Sequence, residues 1–285
     1  MALPPQVVVD TPLTSSNRDP SAVRLEGSPV PATRHLSASP ETGSLSPLEA
    51  SNRSTLMRQF NRRFPPFYSQ FASSEVQLQN LQLAYTLYQT RQVVVQMREE
   101  HHKTVLLFAY NNYPAVLRDV FGSIAAFNLT LHNIQLYGQI EAPHLVFLRL
   151  TLSRDSKPLP LATSLNLERA IHECLGGRFN VEDTLALEFN LQEKLQSATV
   201  RYYLDRVFHL PALLIEADTE PSLFYKVASA LCNEKLTVVG VTSMPRRGQM
   251  RLICYLLGPN GSTTIPDYLG QKWATAIGSR LGAEV

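Results

Sequence analysis

An α+β fold made of two copies of one β/α unit, preceded by a tail and an arm, is what this 285-residue chain predicts. Three observations lead there. Shifted against itself by 107 residues, the sequence lays Leu106-Leu107 over Leu213-Leu214 and Pro114 over Pro221. The same shift superposes Val120 on Val227, Leu129-Thr130 on Leu236-Thr237, Leu145 on Leu252 and Leu150 on Leu257, with no gap. The apolar positions also stay in phase through a strand, a helix and two more strands, and a period of that length is a whole supersecondary unit. Finally, composition changes sharply near residue 53, where a segment without aromatics gives way to an aromatic one.

Residues 1–52 are rich in Pro, Ser and Thr. Such a segment buries too little apolar area to offset chain entropy, so a disordered tail is expected. Ser28, Ser39 and Ser46 each precede a proline, a pattern that a kinase can read and that this composition also yields by chance. In the arm, 53–91, Phe60, Phe64, Phe67, Tyr68 and Phe71 interleave with Arg58, Arg62 and Arg63. A basic-aromatic patch for nucleic acid is one reading. An arm that packs its aromatics onto the folded part is the one favoured. From Glu75 to Thr90 the residues Val76, Leu83, Leu87 and Tyr88 fall near helical spacing, with Ser73 or Ser74 as the N-cap.

The first copy, 92–177, begins with a β-branched strand at Val93 and a continuous apolar strand over Thr104–Tyr110. A helix follows over Tyr113–Asn128, with Pro114 in its first turn and Val116, Leu117, Val120, Phe121 and Ile124 on one face. Strands over Leu129–Tyr137 and Leu145–Ser153 come next, then a helix over Leu165–Leu175 that ends at Gly176-Gly177. The second copy, 199–285, repeats this from Val200 to a last helix that starts at Pro266 and Asp267. There the shift drops to 106, which one deletion in a loop explains. The linker 178–198 fits a helix capped by Asn180, or a strand over Thr184–Leu191, with the helix preferred. Each copy thus predicts a ferredoxin-like sandwich, two helices on one face of a four-stranded antiparallel sheet, with the leading strand at Val93 or Val200 on the edge. Edges of that kind favour pairing of the two copies, or of two chains, side by side.

Composition excludes several classes. A net charge of +2 with 18% charged residues carries no polyanion signature. Cys174, Cys232 and Cys254 form no Cys-x-x-Cys pair and sit on apolar faces, as reduced structural thiols do, which fits the cytoplasm and leaves an organelle stroma or matrix open. No run reaches the ~18 apolar residues of a membrane span. The N-terminus lacks the pattern of a secretory signal, and Asp10 and Asp19 weaken a transit-peptide reading. His101-His102 is the one adjacent histidine pair, next to Glu99-Glu100, and is expected in a solvated turn. His132, His144, His172 and His209 have no ligand-spaced partner. Arg246-Arg247-Gly248 fits a hairpin tip. No phosphate loop or catalytic dyad stands out, so neither an enzyme nor a metal or other cofactor is expected.

Leu129-Thr-Leu-His-Asn-Ile-Gln-Leu136, with the loop Asn111-Asn-Tyr-Pro-Ala-Val-Leu117 before it, resembles the ACT domain. It is most similar to the tandem pair that ends the bacterial uridylyltransferase/uridylyl-removing enzyme. The resemblance covers 92–177 and 199–284, and none of that enzyme's catalytic regions. It implies a regulatory protein that binds an amino acid and engages a protein partner, or a homodimer through sheet edges or helices. The family's loop reads Asp-Arg-Pro-Gly-Leu. Its Asp is Asn111 here in the first copy and Asp218 in the second, and its Gly is Ala115 and Ser222. A Cβ at the Gly position narrows the approach to the helix start. The site the resemblance implies is therefore Asp218, Thr219 and Ser222 in the second copy, a carboxylate for an amino group beside helix-start N–H groups. The counterparts in the first copy are Asn111, Asn112 and Ala115, with Asn133 on the following strand. A module that keeps the fold without the ligand is the alternative. An RNA-binding sheet would need exposed strand aromatics, for which only Tyr202 and Tyr203 stand.

Overall fold

The computed structural model describes residues 47–283 except 112–114, 142–143, 190, 192, 196 and 247. Most of the predicted tail, with Ser28, Ser39 and Ser46, lies outside the described residues, as do Asn112, Tyr113, Pro114 and Arg247. Three helices come first: α1 (Pro47–Asn61), α2 (Pro66–Phe71) and α3 (Ser74–Thr90). Helix α1 therefore starts within the segment expected to be disordered. The side chain of Ser73 accepts from Val76 N–H at the start of α3, and Arg91 ends the helix in the left-handed region at φ 53°.

The first copy runs β1 (Val94–Glu100), β2 (Lys103–Asn111), α4 (Ala115–Ala126), β3 (Thr130–Gly138), β4 (Leu145–Ser153) and α5 (Leu161–Leu175). Linker helix α6 (Val181–Glu188) is capped by Asn180, whose Oδ1 accepts from Glu182 N–H at 3.1 Å. The helix option for the linker is thus the one adopted. The second copy runs β5 (Thr199–Asp205), β6 (Leu210–Asp218), α7 (Leu223–Asn233), β7 (Thr237–Arg246), β8 (Gln249–Leu257) and α8 (Asp267–Leu281).

All eight strands form one antiparallel sheet in the order β1-β2-β4-β3-β7-β8-β6-β5. The two copies pair edge to edge, as their open edges favour, so the sheet is continuous and not clearly two sandwiches, and residues 45–285 cluster as one compact unit. The joint is β3 against β7, where Gln135, Leu136 and Tyr137 pair with Thr242, Val241 and Gly240. Each half has the same internal order, with the leading strand at the outer edge.

The gapless 107-residue shift does not survive the register. It holds for β2 and β6, and for β3 and β7, where both strands carry a bulge, at His132 and at Val239. In β4 and β8 the equivalent residues are 104 apart: Leu150 opposes Ile134 as Cys254 opposes Val241. The Leu145/Leu252 and Leu150/Leu257 identities are therefore coincidences of sequence. Leading strands differ by 105, since Val95 opposes Phe108 as Val200 opposes Ile215. Hairpin lengths account for this. His101-His102 form a two-residue turn, both at positive φ (48° and 59°), whereas residues 206–209 fill the matching turn of the second copy. Positive φ at both central residues is the turn that matches strand twist.

One face of the sheet carries the helices. Val116, Val120 and Ile124 of α4, Leu167 and Ile171 of α5, Val227 and Leu231 of α7, and Ile277 of α8 bury there against alternate strand residues such as Leu106, Phe108, Leu213 and Ile215. Helices α4 and α7 pack on each other across the joint. Tyr202 of β5 is buried on this face under α8, its ring against Gly270, so it is not an exposed sheet aromatic.

The other face carries the arm, with α3 across β1 and β2. Phe60 and Phe64 pack on Phe147, and Tyr68 meets Tyr137 edge-on at 5.1 Å. Phe67 stacks on Tyr255 at 4.8 Å, and its ring sits where a Cβ on Gly240 would be. The aromatics are thus interior, as the arm reading expects; of the five only Phe71 is exposed. Burying one such ring contributes about 2–3 kcal/mol, enough to hold the arm in place.

Candidate functional site

The turn from β6 into α7 is the place to look, because a strand-to-helix turn presents helix-start N–H groups that lack partners within the helix. Thr219 N–H donates to Gly248 O at 3.1 Å, which ties the turn to the β7–β8 hairpin. Leu223 N–H donates to Glu220 O at 3.1 Å, closing the first turn. The Glu220 carboxylate accepts from Ser222 Oγ and pairs with Lys226 Nζ at 2.8 Å. The turn is therefore rigid, with its acidic side chain already held.

Against it lies the α4–β3 corner of the other copy. Asn128 takes a positive φ of 51° there, and its N–H donates to Ala125 O. Between corner and turn is a cavity of about 150 Å³. Phe121, Ile124, Asn128, Leu129, Thr130 and Leu131 form one wall, and Thr219, Glu220, Pro221 and Phe224 the other. The rings of Phe121 and Phe224 meet at 5.9 Å where the walls converge. The lining is mostly apolar, with hydroxyl, amide and carboxylate groups among it. A void of that volume holds a group about the size of benzene.

The site residues implied by the resemblance come together only in part. Thr219 lines the cavity. Asp218 does not: it shares the strand parity of Leu214 and Glu216, opposite that of the helix-facing Leu213, Ile215 and Ala217, and accepts from Gln249 Nε2 at 3.2 Å. Ser222 is buried and spends its hydroxyl on Glu220. Asn111 ends β2, exposed and opposite Leu145, and Ala115 opens α4. Asn133 follows the β3 bulge, where its Oδ1 accepts from Ser243 Oγ at 3.3 Å across the joint. Glu220, Asn128, Thr130 and the two phenylalanines were not singled out. Phe121 fell on an apolar helical stripe and counted as core.

Burial displaces the titration of two side chains away from the cavity. Burial pushes the Cys254 thiol up to about 12, as expected of an inert structural thiol. His132, the bulge residue, is held below its usual value first by burial and then by Lys103, with its Nε2 at 2.7 Å from Ser153 Oγ. Among the described residues no three His, Cys, Asp or Glu side chains are placed to hold a metal, and no helix is long and apolar enough to cross a membrane. No family model matches the chain, and no curated protein matches it.

Proposed function

We propose that this chain is a non-catalytic regulatory protein built on two ACT-like, ferredoxin-like units, in which the cavity between the units takes an amino acid with a small apolar side chain. The observation that carries this reading is the position of the cavity, walled by the strand-to-helix turn of one copy and the helix-to-strand corner of the other. A ligand there touches both halves, so it can favour one arrangement of the α4–α7 packing over another, which is what regulation of a protein partner requires. Thermal shift of the full chain with each of the twenty amino acids is the test. A true ligand at a hundred times its dissociation constant adds about 2.7 kcal/mol, a rise of several degrees. Thr130→Trp, an exposed position whose indole would fill the cavity, should abolish that response while leaving the unliganded melting temperature near its original value. Silence from all twenty would end the sensing reading.

One observation favours a second reading, a ligand-free interaction module. Asp218 lies on the face opposite the cavity, and Ala115 and Ser222 stand where the family has glycine. Under that reading the fold serves to present the arm and the sheet edges to a protein, and no amino acid changes the melting temperature.

A further inference from the structure

The sheet ends in two strands, β1 and β5, each with a hydrogen-bonded neighbour on one side only among the described residues. An unpaired edge is a template for another strand, and folded chains commonly guard it with charge, proline or a bulge. Edge β1 is guarded. Arg98, Glu99 and Glu100 follow one another there; Arg98 donates to Glu100 and to Gln79 of α3, and Glu100 accepts from Arg149 of β4. Edge β5 is not. Thr199–Asp205 has no proline, no glycine and no bulge against β6. Of its two charged residues, Asp205 is already engaged in the β5–β6 turn, where it accepts from Val207 and Phe208 N–H. The strand is also held firm, because Tyr202 at its centre is buried under α8, and a Cβ on Gly270 would fall 2.3 Å from its ring. Exposed apolar groups lie along this edge. Leu204 is 49% exposed on the helix side of β5, and Tyr268 of α8 is 76% exposed. Tyr268 stands about 120° around α8 from Arg280. Arg280 reaches Glu234 at the end of α7, so Tyr268 faces away from α7 and towards the outer edge.

We propose that β5 pairs with β5 of a second copy of this chain, antiparallel about a two-fold axis at Tyr202, so that the sheet runs on from one chain into the next. Opposed side chains must share a face, so a two-fold axis normal to the sheet sets each residue against one an even number of places away. Centred on Tyr202, all seven residues of β5 are paired. Val200 then opposes Leu204, which gives the exposed leucine an aliphatic partner. On the other face Arg201 opposes Tyr203, a guanidinium against a phenol ring, and Thr199 opposes Asp205. No like charges meet. Centred on Arg201 instead, the two guanidiniums would face each other. For β1 the full-length register centres on Met97 and sets Val94 and Val95 against Glu100 and Glu99, so a β1 pair is disfavoured. Joining β1 to β5 is a head-to-tail contact that does not close, and it would give filaments. The joint of β3 on β7 already shows this sheet continuing by antiparallel pairing of edges. The pairing does not depend on the amino-acid cavity.

Sedimentation velocity of the full chain, from low to high micromolar concentration, tests the proposal. A monomer–dimer equilibrium is expected. Leu204→Lys replaces the aliphatic pair by a charge, twice in each dimer, and should raise the dissociation constant about tenfold or more. Tyr88→Lys, which removes an exposed ring from α3, should change little. Cysteine cross-linking tests the register on a chain otherwise unchanged. In the double variant Val200→Cys, Leu204→Cys the new thiols are directly opposed and should link two chains under mild oxidation. In Leu204→Cys alone they lie about 14 Å apart along the strands, beyond the reach of a disulfide. Circular dichroism and melting temperature establish that each variant is folded, and the cysteine variants carry the test if Leu204→Lys is not. Four outcomes overturn the proposal: the chain stays monomeric throughout, Tyr88→Lys weakens the dimer as much as Leu204→Lys, Leu204→Cys alone cross-links as fast as the double variant, or the chain forms open-ended filaments.

Discussion

The two halves share one plan and differ in what covers them. On the arm-facing side of the first half, Ala109 pairs with Phe147 and with Val94, all buried. At the equivalent places in the second half, Glu216 pairs with Arg251 and with Thr199. Glu216 and Arg251 are also bonded to each other, Arg251 Nε donating at 2.7 Å. Helix α3 packs on the strands of the first set, and among the described residues it has no comparable packing on those of the second. A cross-strand apolar pair is favourable under a cover and an ion pair is favourable in water, so each half carries the residues its surroundings reward. The strands follow one plan in both halves, and their outer faces differ where the arm covers one of them.

The largest effect should come from the arm's anchor at the joint. Phe67 is 1% exposed and touches residues of both halves, Tyr137 and Tyr255. Phe67→Ala should cost about 3–5 kcal/mol in urea unfolding. A smaller loss, near that of a surface residue, would show that the arm is not part of the cooperative unit.

Next comes a direct comparison of matched leucines. Leu107 and Leu214 hold the same place in β2 and β6, but Leu107 is 3% exposed under the arm and Leu214 is half-buried. Leu107→Ala should cost about 2–5 kcal/mol and Leu214→Ala nearer 1. Equal costs would mean that the second face is covered in solution, by a second chain or another segment.

Gly240 offers a third test. A Cβ built there falls 2.3 Å from the Phe67 ring, so Gly240→Ala should cost about 1–3 kcal/mol. In a Phe67→Ala background the same change should cost almost nothing, because the clash is gone. Its structural counterpart after the β3 bulge is Asn133, which carries no ring.

How much of this was legible follows from the strands themselves. Element type could be read because helix and strand periods differ, and the repeat because β2 and α4 match β6 and α7 without slippage. The register of β4 could not. Leu145-Val-Phe-Leu-Arg-Leu and Leu252-Ile-Cys-Tyr-Leu-Leu carry apolar residues at both parities, so a three-residue slide leaves a single mismatch, Arg149 over Leu256, too little to reveal it. That the arm is buried followed from its aromatics, but not which face it covers, since a ring records only that it needs a cavity. Strand alternation would have placed Asp218 with Leu214 and away from the helices. The family loop drew attention to the residue type and away from its parity. The cavity itself depends on two segments about 90 residues apart meeting at the joint, and local pattern holds no trace of that.

The smallest predicted effect has the opposite sign. Tyr137 is the joint's own ring, in β3 beside Tyr68, and its hydroxyl is buried with no hydrogen-bond partner. Removing an unsatisfied group costs nothing in contacts, so Tyr137→Phe should leave stability unchanged or raise it by up to about 1 kcal/mol at neutral pH. Burial raises the hydroxyl's pKa to about 12, with Arg149 opposing. Because the folded value lies above the ordinary one near 10, the unfolded chain loses this proton first as the solution becomes alkaline. The stability that depends on it is complete below pH 10 and is lost as pH rises towards 12. Burial raises Tyr68 as well, so part of the alkaline loss persists in the variant. Urea midpoints of wild type and Tyr137→Phe measured from pH 8 to 11 should therefore diverge, with the variant falling less steeply. Parallel curves would mean that water reaches the hydroxyl, and that the arm opens over the joint more readily than over the first half.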